Sequence, residues 1–370
     1  MPGAEPVIRG TVLQWFIRVA QTVLGLAPET IRYTTLDSLK SVESRAKDEL
    51  SEIHLPRKVG TVNSLSDALD IIYKYINGHG SRCGKEADIS GGFPPELTAE
   101  VAEYIRVFGG FGKEKRKFFD LCEDVVALAE LGAFFSFCGR RRTETGRIEY
   151  HYVFTEVLGS VETLNEKLEY ALNLRSVVHR LVENDAPLNT IALGVTTCIA
   201  RYLSRIPYVT RTSLFNRGIT FEYLRLEPGN VLRVSGFSIL SVAELVKLVR
   251  RAGIVTPIYI LIRRYPSKND IERSRGLKKL KEIVDDIAKD LLLYVNNTKS
   301  VIASKDGRYV VVRDPIYLYN IVRRAKVFLD SLDKQTENLF DSYLKSNKYS
   351  IKSVLEGIVS GIGKIATGLR

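Results

Sequence analysis

Residues 137 to 154, FCGRRRTETGRIEYHYVF, set three consecutive arginines against a short polar turn and then run into an alternating aromatic segment. Arginine's planar fork pairs with phosphate through two parallel N–H groups and also stacks on bases. Arg140, Arg141 and Arg142, with Arg147 across the turn, therefore have the chemistry of a clamp on a nucleic-acid backbone. Alternation along a strand sends Arg141 to the face opposite its two neighbours, so only part of the triplet can touch one phosphate chain. The competing reading is a sheet edge whose charge keeps it from pairing with other chains. Two further stretches concentrate positive charge. GKEKRKFF offers Lys113, Lys115, Arg116 and Lys117 after a glycine bend, and residues 247 to 281 hold eleven Lys or Arg against two acids. In that third stretch Arg263 and Arg264 close an apolar run, while Arg273, Arg275, Lys278, Lys279 and Lys281 crowd the start of a predicted long helix. The helix dipole disfavours positive charge at its amino-terminal end, and a cost without benefit inside the chain points to an external anion. Contacts of this kind supply affinity and register rather than sequence readout.

Other chemistries find less support. GGFGKEKRKFF has the look of a phosphate-cradling loop, but Glu114 stands where a magnesium-binding hydroxyl is needed and Val107 where the first glycine is needed, which excludes nucleotide hydrolysis there. Neither HExxH nor GxSxG occurs. His79 and Cys83 are close in sequence but sit in a glycine-rich loop. Cys83, Cys122, Cys138 and Cys198 form no CxxC pair, and the histidines do not complete a zinc-binding spacing. Asp285 and Asp286, with Glu282 and Asp290, are expected on the solvated face of a helix, since adjacent acids do not share a face. The sequence thus predicts no catalytic residue, no metal and no cofactor. A metal-dependent nuclease, the least favoured alternative, would need carboxylates brought together from distant positions.

The formal charge of +11, from 54 Lys and Arg against 43 Asp and Glu, attracts a polyanion, either nucleic acid or an anionic membrane face. A hydrophobic share of 45% over 370 residues supports a real core, in one large domain or two. The opening MPGAEPVIRG has no basic segment ahead of an apolar one, and no long uncharged run follows; the expectation is no secretion, no membrane and a cytoplasmic location.

The elements that must position these residues are mostly helical up to about residue 130, with TVLQWFIRVAQTVLGL as a buried helix and a glycine-rich loop at 77 to 95. Ile148, Tyr150, Tyr152 and Phe154 alternate with Glu149, His151 and Val153, and the TETG turn makes this strand one arm of an antiparallel hairpin with residues 134 to 142. Two helices follow. Residues 208 to 237 read as mostly extended, SVAELVKLVRRAG as a short helix, and IVTPIYILIRRYP as extended and broken by Pro257. A long helix begins near SKNDIERSRG, a second hairpin turns at KDG, and the remainder is helical. The fold class is α+β, helix-rich with antiparallel β-hairpins and a helical carboxyl-terminal region. A mixed α+β domain over 1–267 and a mainly helical domain over 268–370 are expected.

The helical amino-terminal half, the ISGGFPPE loop, the FFSFCGRRRTETGRIEYHYVFTE hairpin and the GIVTPIYILIRR stretch before a helical end together resemble the large subunit of the archaeal type I-A CRISPR interference (Cascade) complex. That resemblance implies a non-enzymatic subunit of an antiviral surveillance complex. Its partners would be guide RNA, target double-stranded DNA, the backbone and small subunits, and the helicase and nuclease effector. It would contribute to recognition of the DNA motif flanking the target while base pairing reads the target itself. The site residues named above rest on charge alone. A purely structural protein–protein assembly subunit is the first alternative.

Overall fold

A computed structural model describes residues 12–24, 123–143, 145–161, 163–227, 233–303, 309–332, 334–344 and 349–367. The chain forms two compact units. The first comprises Met1–Arg175 and Glu222–Ile239, and the second Ser176–Phe221 and Leu240–Arg370. Residue 268, the expected start of a carboxyl-terminal domain, begins a helix within the second unit.

The first unit is built on a four-stranded antiparallel sheet of order β1-β2-β3-β4: Phe137–Arg142, Ile148–Thr155, Thr220–Glu227 and Arg233–Ser241. The last two strands continue into the second unit at their ends. Helices α1 (Val12–Leu24) and α2 (Glu123–Ser136) pack together so closely that a Cβ at Gly132 would collide with the Phe16 carbonyl. An aromatic layer fills the space between α1 and the sheet. Phe16 meets Tyr152 at 5.1 Å between ring centres, Trp15 meets Phe154 at 6.2 Å, and Phe137 meets Tyr152 at 5.6 Å, all edge to face. The predicted alternation of β2 holds, with Tyr152 and Phe154 buried in this layer. The opposite face is buried as well, for Glu149, His151, Val153 and Thr155 are all inaccessible. Helix α3 (Leu164–Glu183) supplies two buried cations to this unit. Lys167 donates to the Val23 carbonyl at 2.8 Å, satisfying one of the carbonyls left open at the end of α1, and Arg175 donates to Phe137 O at 2.8 Å.

The second unit surrounds α4 (Leu188–Tyr202), whose residues are buried on nearly every side. Around it lie α5 (Tyr208–Arg217), α6 (Ala243–Arg251), α7 (Val255–Arg263), the short α8 (Lys268–Arg273) and α9 (Arg275–Asn296). The hairpin β5 (Thr298–Ala303) and β6 (Tyr309–Arg313) forms at the predicted place, with Val301 paired to Val311. Helices α10 (Ile316–Asp330), α11 (Lys334–Leu344) and α12 (Ile351–Ala366) follow. Helix α12 crosses the end of α6 at Gly361, where a side chain would strike the Ala252 carbonyl.

Three expectations need correction. IVTPIYILIRRYP is helical over α7 rather than extended, because Pro257 stands at the third helical position, where no intrahelical acceptor awaits its missing N–H. Residues 208 to 217 are likewise helical, and the extended run begins only at Thr220. The long helix predicted from SKNDIERSRG is two: Ser274, extended at φ −148 and ψ 120, ends α8 and caps α9 through Leu277 N. Among the described residues no helix is long and apolar enough to cross a membrane.

Candidate functional site

In the first hairpin Arg140 pairs with Tyr150, Arg141 with Glu149 and Arg142 with Ile148. A tight turn closes it, with Thr143 N donating to Arg147 O at 2.7 Å and Gly146 at φ +77, a conformation glycine adopts without strain. The pleat divides the triplet as alternation predicts. Arg141 turns inward and donates from Nε to Glu149 Oε2 at 2.8 Å. Arg140 and Arg142 are exposed on β1, an edge strand, and among the described residues no carboxylate pairs with either. Arg147 is exposed and lies 3.6 Å from Glu227 Oε2.

Glu149 is the centre of a polar network to which all four strands contribute. Besides Arg141 on β1, Ser235 on β4 donates to Oε1 at 2.7 Å, and Arg225 on β3 approaches Oε1 at 3.7 Å. His151, two residues on along β2, places Nε2 at 3.2 Å from Oε2, off the axis of a hydrogen bond, and Nδ1 at 2.5 Å from the Tyr223 hydroxyl. Burial opposes the Glu149 charge, but His151, Ser235 and the Arg141 guanidinium outweigh it and bring its pKa down to about 2. Burial, with Arg141 and Arg225 adding to it, outweighs Glu149 and holds His151 below the usual imidazole range. Its ring is therefore neutral near pH 7. Tyr223, raised by burial, keeps its proton and donates to Nδ1. The arrangement is a carboxylate saturated by donors, suited to fixing the strands and the orientation of Arg141. Sequence reading placed Glu149 and His151 on one face correctly but could not see their partners on β3 and β4.

The other expected residues are distributed unevenly. Lys113, Lys115, Arg116 and Lys117 lie outside the described residues. Arg263 is exposed in the last turn of α7 and Arg264 half-buried just after it. Arg273 belongs to the last turn of α8, where the dipole favours a cation, which corrects its expected position at a helix start. Arg275, Lys278 and Lys279 do occupy the first turns of α9, are exposed, and have no acid beside them in the first turn. Lys281 turns inward and donates to Asn184 O at 3.0 Å.

The acids of α9 are not the solvated row expected of them. Asp285 accepts from Thr190 Oγ1 and from Tyr265 Oη, both at 2.7 Å, and burial raises its pKa. Asp290 is buried and accepts from Arg324 at 3.1 Å, and Asp286 meets the same arginine at 3.2 Å. These acids join α9 to α4 and α10. Among the described residues no group of three or more His, Cys, Asp or Glu is placed to hold a metal ion. Cys138 and Cys198 are buried free thiols, and burial pushes Cys138 up to about 12.

Comparison with protein families, with curated proteins and with solved structures finds no match to this chain.

Proposed function

We propose that the protein is a non-catalytic nucleic-acid-binding subunit of an RNA-guided surveillance complex, the role implied by its resemblance to the type I-A large subunit. In that role it contributes to holding target DNA beside the flanking motif and to assembly of the effector. The observation that supports this reading best is the division of the arginine triplet. Arg140 and Arg142 project from an edge strand while Arg141 is anchored to the buried Glu149. Residues two apart on a strand are separated by about 7 Å, comparable to the step between successive phosphates. The exposed Arg275, Lys278 and Lys279 add a second concentration of charge.

The test is fluorescence-anisotropy binding to single-stranded RNA, single-stranded DNA and duplex DNA across a salt series. Affinity is expected to fall steeply with salt. Arg140→Glu with Arg142→Glu, leaving Arg141 in place, should weaken binding about tenfold or more and reduce the salt slope by about 1.4 to 1.8, two phosphate contacts' worth. Equal binding by variant and parent would return the hairpin to a charged sheet edge.

A second reading, a structural subunit that assembles proteins, is favoured by the edge strand β4, where Val234, Phe237 and Ile239 are exposed. It predicts stable association with partner subunits while nucleic-acid affinity stays weak.

A further inference from the structure

Helices α5 and α6 of the second unit carry Arg211, Arg217, Lys247, Arg250 and Arg251 between them, and one acid, Glu244. That acid is engaged by Lys247 at 2.7 Å and by Arg313 at 2.9 Å. Lys247 Nζ lies 5.5 Å from the centre of the Phe215 ring, which sets α6 alongside α5. One turn away on each helix, Arg211 stands near enough to Arg250 for its charge to act on it. Burial first, and then Arg211, lower the pKa of Arg250. Phe215 facing Lys247 and Arg211 facing Arg250 make the two helices antiparallel along this face. Among the described residues neither guanidinium meets a carboxylate. Arg211 donates only a long bond, 3.5 Å, to Leu203 O, and its guanidinium lies 5.4 Å from the centre of the Tyr208 ring. Tyr208 itself is 71% exposed.

Two like charges drawn together and partly removed from water, without a counter-charge, are unfavourable unless an anion joins them. A planar ring in solvent beside them is the other half of a familiar chemistry, since single-stranded nucleic acids are held by cations along the backbone and by aromatic faces under the bases. We propose that the α5–α6 face binds single-stranded nucleic acid, with a phosphate between Arg211 and Arg250 and a base stacked on Tyr208. The proposal rests on the reading of the chain as a nucleic-acid-binding protein and gives it a second surface, in the other unit from the Arg140 hairpin.

The experiment is anisotropy binding of the full chain to fluorescein-labelled oligouridine and oligothymidine across a salt series, with melting temperatures measured in parallel. Arg211→Gln with Arg250→Gln should weaken binding about tenfold or more and lower the salt slope by about 1.4, since each contact to a single strand contributes about 0.7. Their melting temperature should hold or rise, because a repulsion has been removed. Arg211→Lys with Arg250→Lys should keep the slope. Tyr208→Ala should weaken binding roughly five- to a hundredfold with the slope unchanged, the loss of one stacked base. Tighter binding of oligouridine than oligothymidine would assign the surface to RNA, and the reverse to DNA. If the glutamine pair binds as the parent does while the Arg140→Glu, Arg142→Glu variant binds weakly, this inference is overturned and the proposed function stands. Absence of binding by the parent overturns both. A lowered melting temperature in the glutamine pair, with the lysine pair also losing salt slope, identifies a structural role and likewise overturns it.

Discussion

Glu149 shows how a single carboxylate can decide what its neighbours do. By accepting from Arg141 and Ser235 it withdraws one arginine of the triplet from solvent and leaves the other two outside. Glu149→Gln removes the charge that these donors serve, and should destabilise the fold by about 2 to 3 kcal/mol, the range for hydrogen bonds to a buried charged group; chemical denaturation measures it. Glu149 and His151 are both held below their ordinary values, so in each case the unfolded chain takes up protons before the folded one does. Their contribution is complete above the ordinary imidazole value of 6.5 and declines as pH falls. The His151 contribution goes first, and that of Glu149 follows between 4.5 and about 2. Melting temperature against pH should therefore drop below pH 6.5, and His151→Gln should remove that first limb while leaving the second. A parallel pair of curves would show that His151 does not set the acid response.

Among the elements, the close crossings are the points of least tolerance. Gly132 on α2 faces the Phe16 carbonyl, and Gly361 on α12 faces that of Ala252. In both places the obstacle is backbone, which cannot rotate away. Gly132→Ala and Gly361→Ala should each lower stability by about 1 to 3 kcal/mol through overpacking, whereas Gly363→Ala, which meets nothing within 4 Å, should be neutral or slightly stabilising. Thermal melts of the three variants compare them directly. At the start of α8, Ser267 accepts from Asp270 N at 3.2 Å while the Asp270 carboxylate accepts from Ser267 N at 2.9 Å. Ser267→Ala should cost about 1 kcal/mol. Helix α7 was not legible as a helix because an apolar run of its length fits a buried strand equally well, and Pro257 reads as a breaker unless its place in the first turn is known.

At the scale of the whole molecule, a formal charge of +11 is spread over two units, each offering arginines without described acid partners: Arg140 and Arg142 in the first, Arg211 and Arg250 in the second. If both surfaces hold nucleic acid, combining the two pairs of substitutions should lower the salt slope by more than either pair alone, approaching the sum of the two effects. Residues more than about 10 Å apart with no shared partners usually act additively. A combined variant no worse than one of its parents would mean that a single surface carries the affinity.

The alternating order of residues 148 to 154 determined the hairpin, its register-dependent split of Arg140, Arg141 and Arg142, and the aromatic face that packs on α1, because a period of two is a local property. The α+β class and the KDG hairpin followed from equally local signals. Tertiary structure alone decided that the second face of β2 is buried and that Asp285 and Asp290 join helices instead of meeting water. It also decided that Arg211 lies against Arg250. The partners of His151 and Glu149 stand 72 and 86 residues away, Thr190 is 95 residues from Asp285, and the fate of a charge depends on which distant donor reaches it. Periodicity tells a side chain which way to point; only the folded chain decides what it meets there.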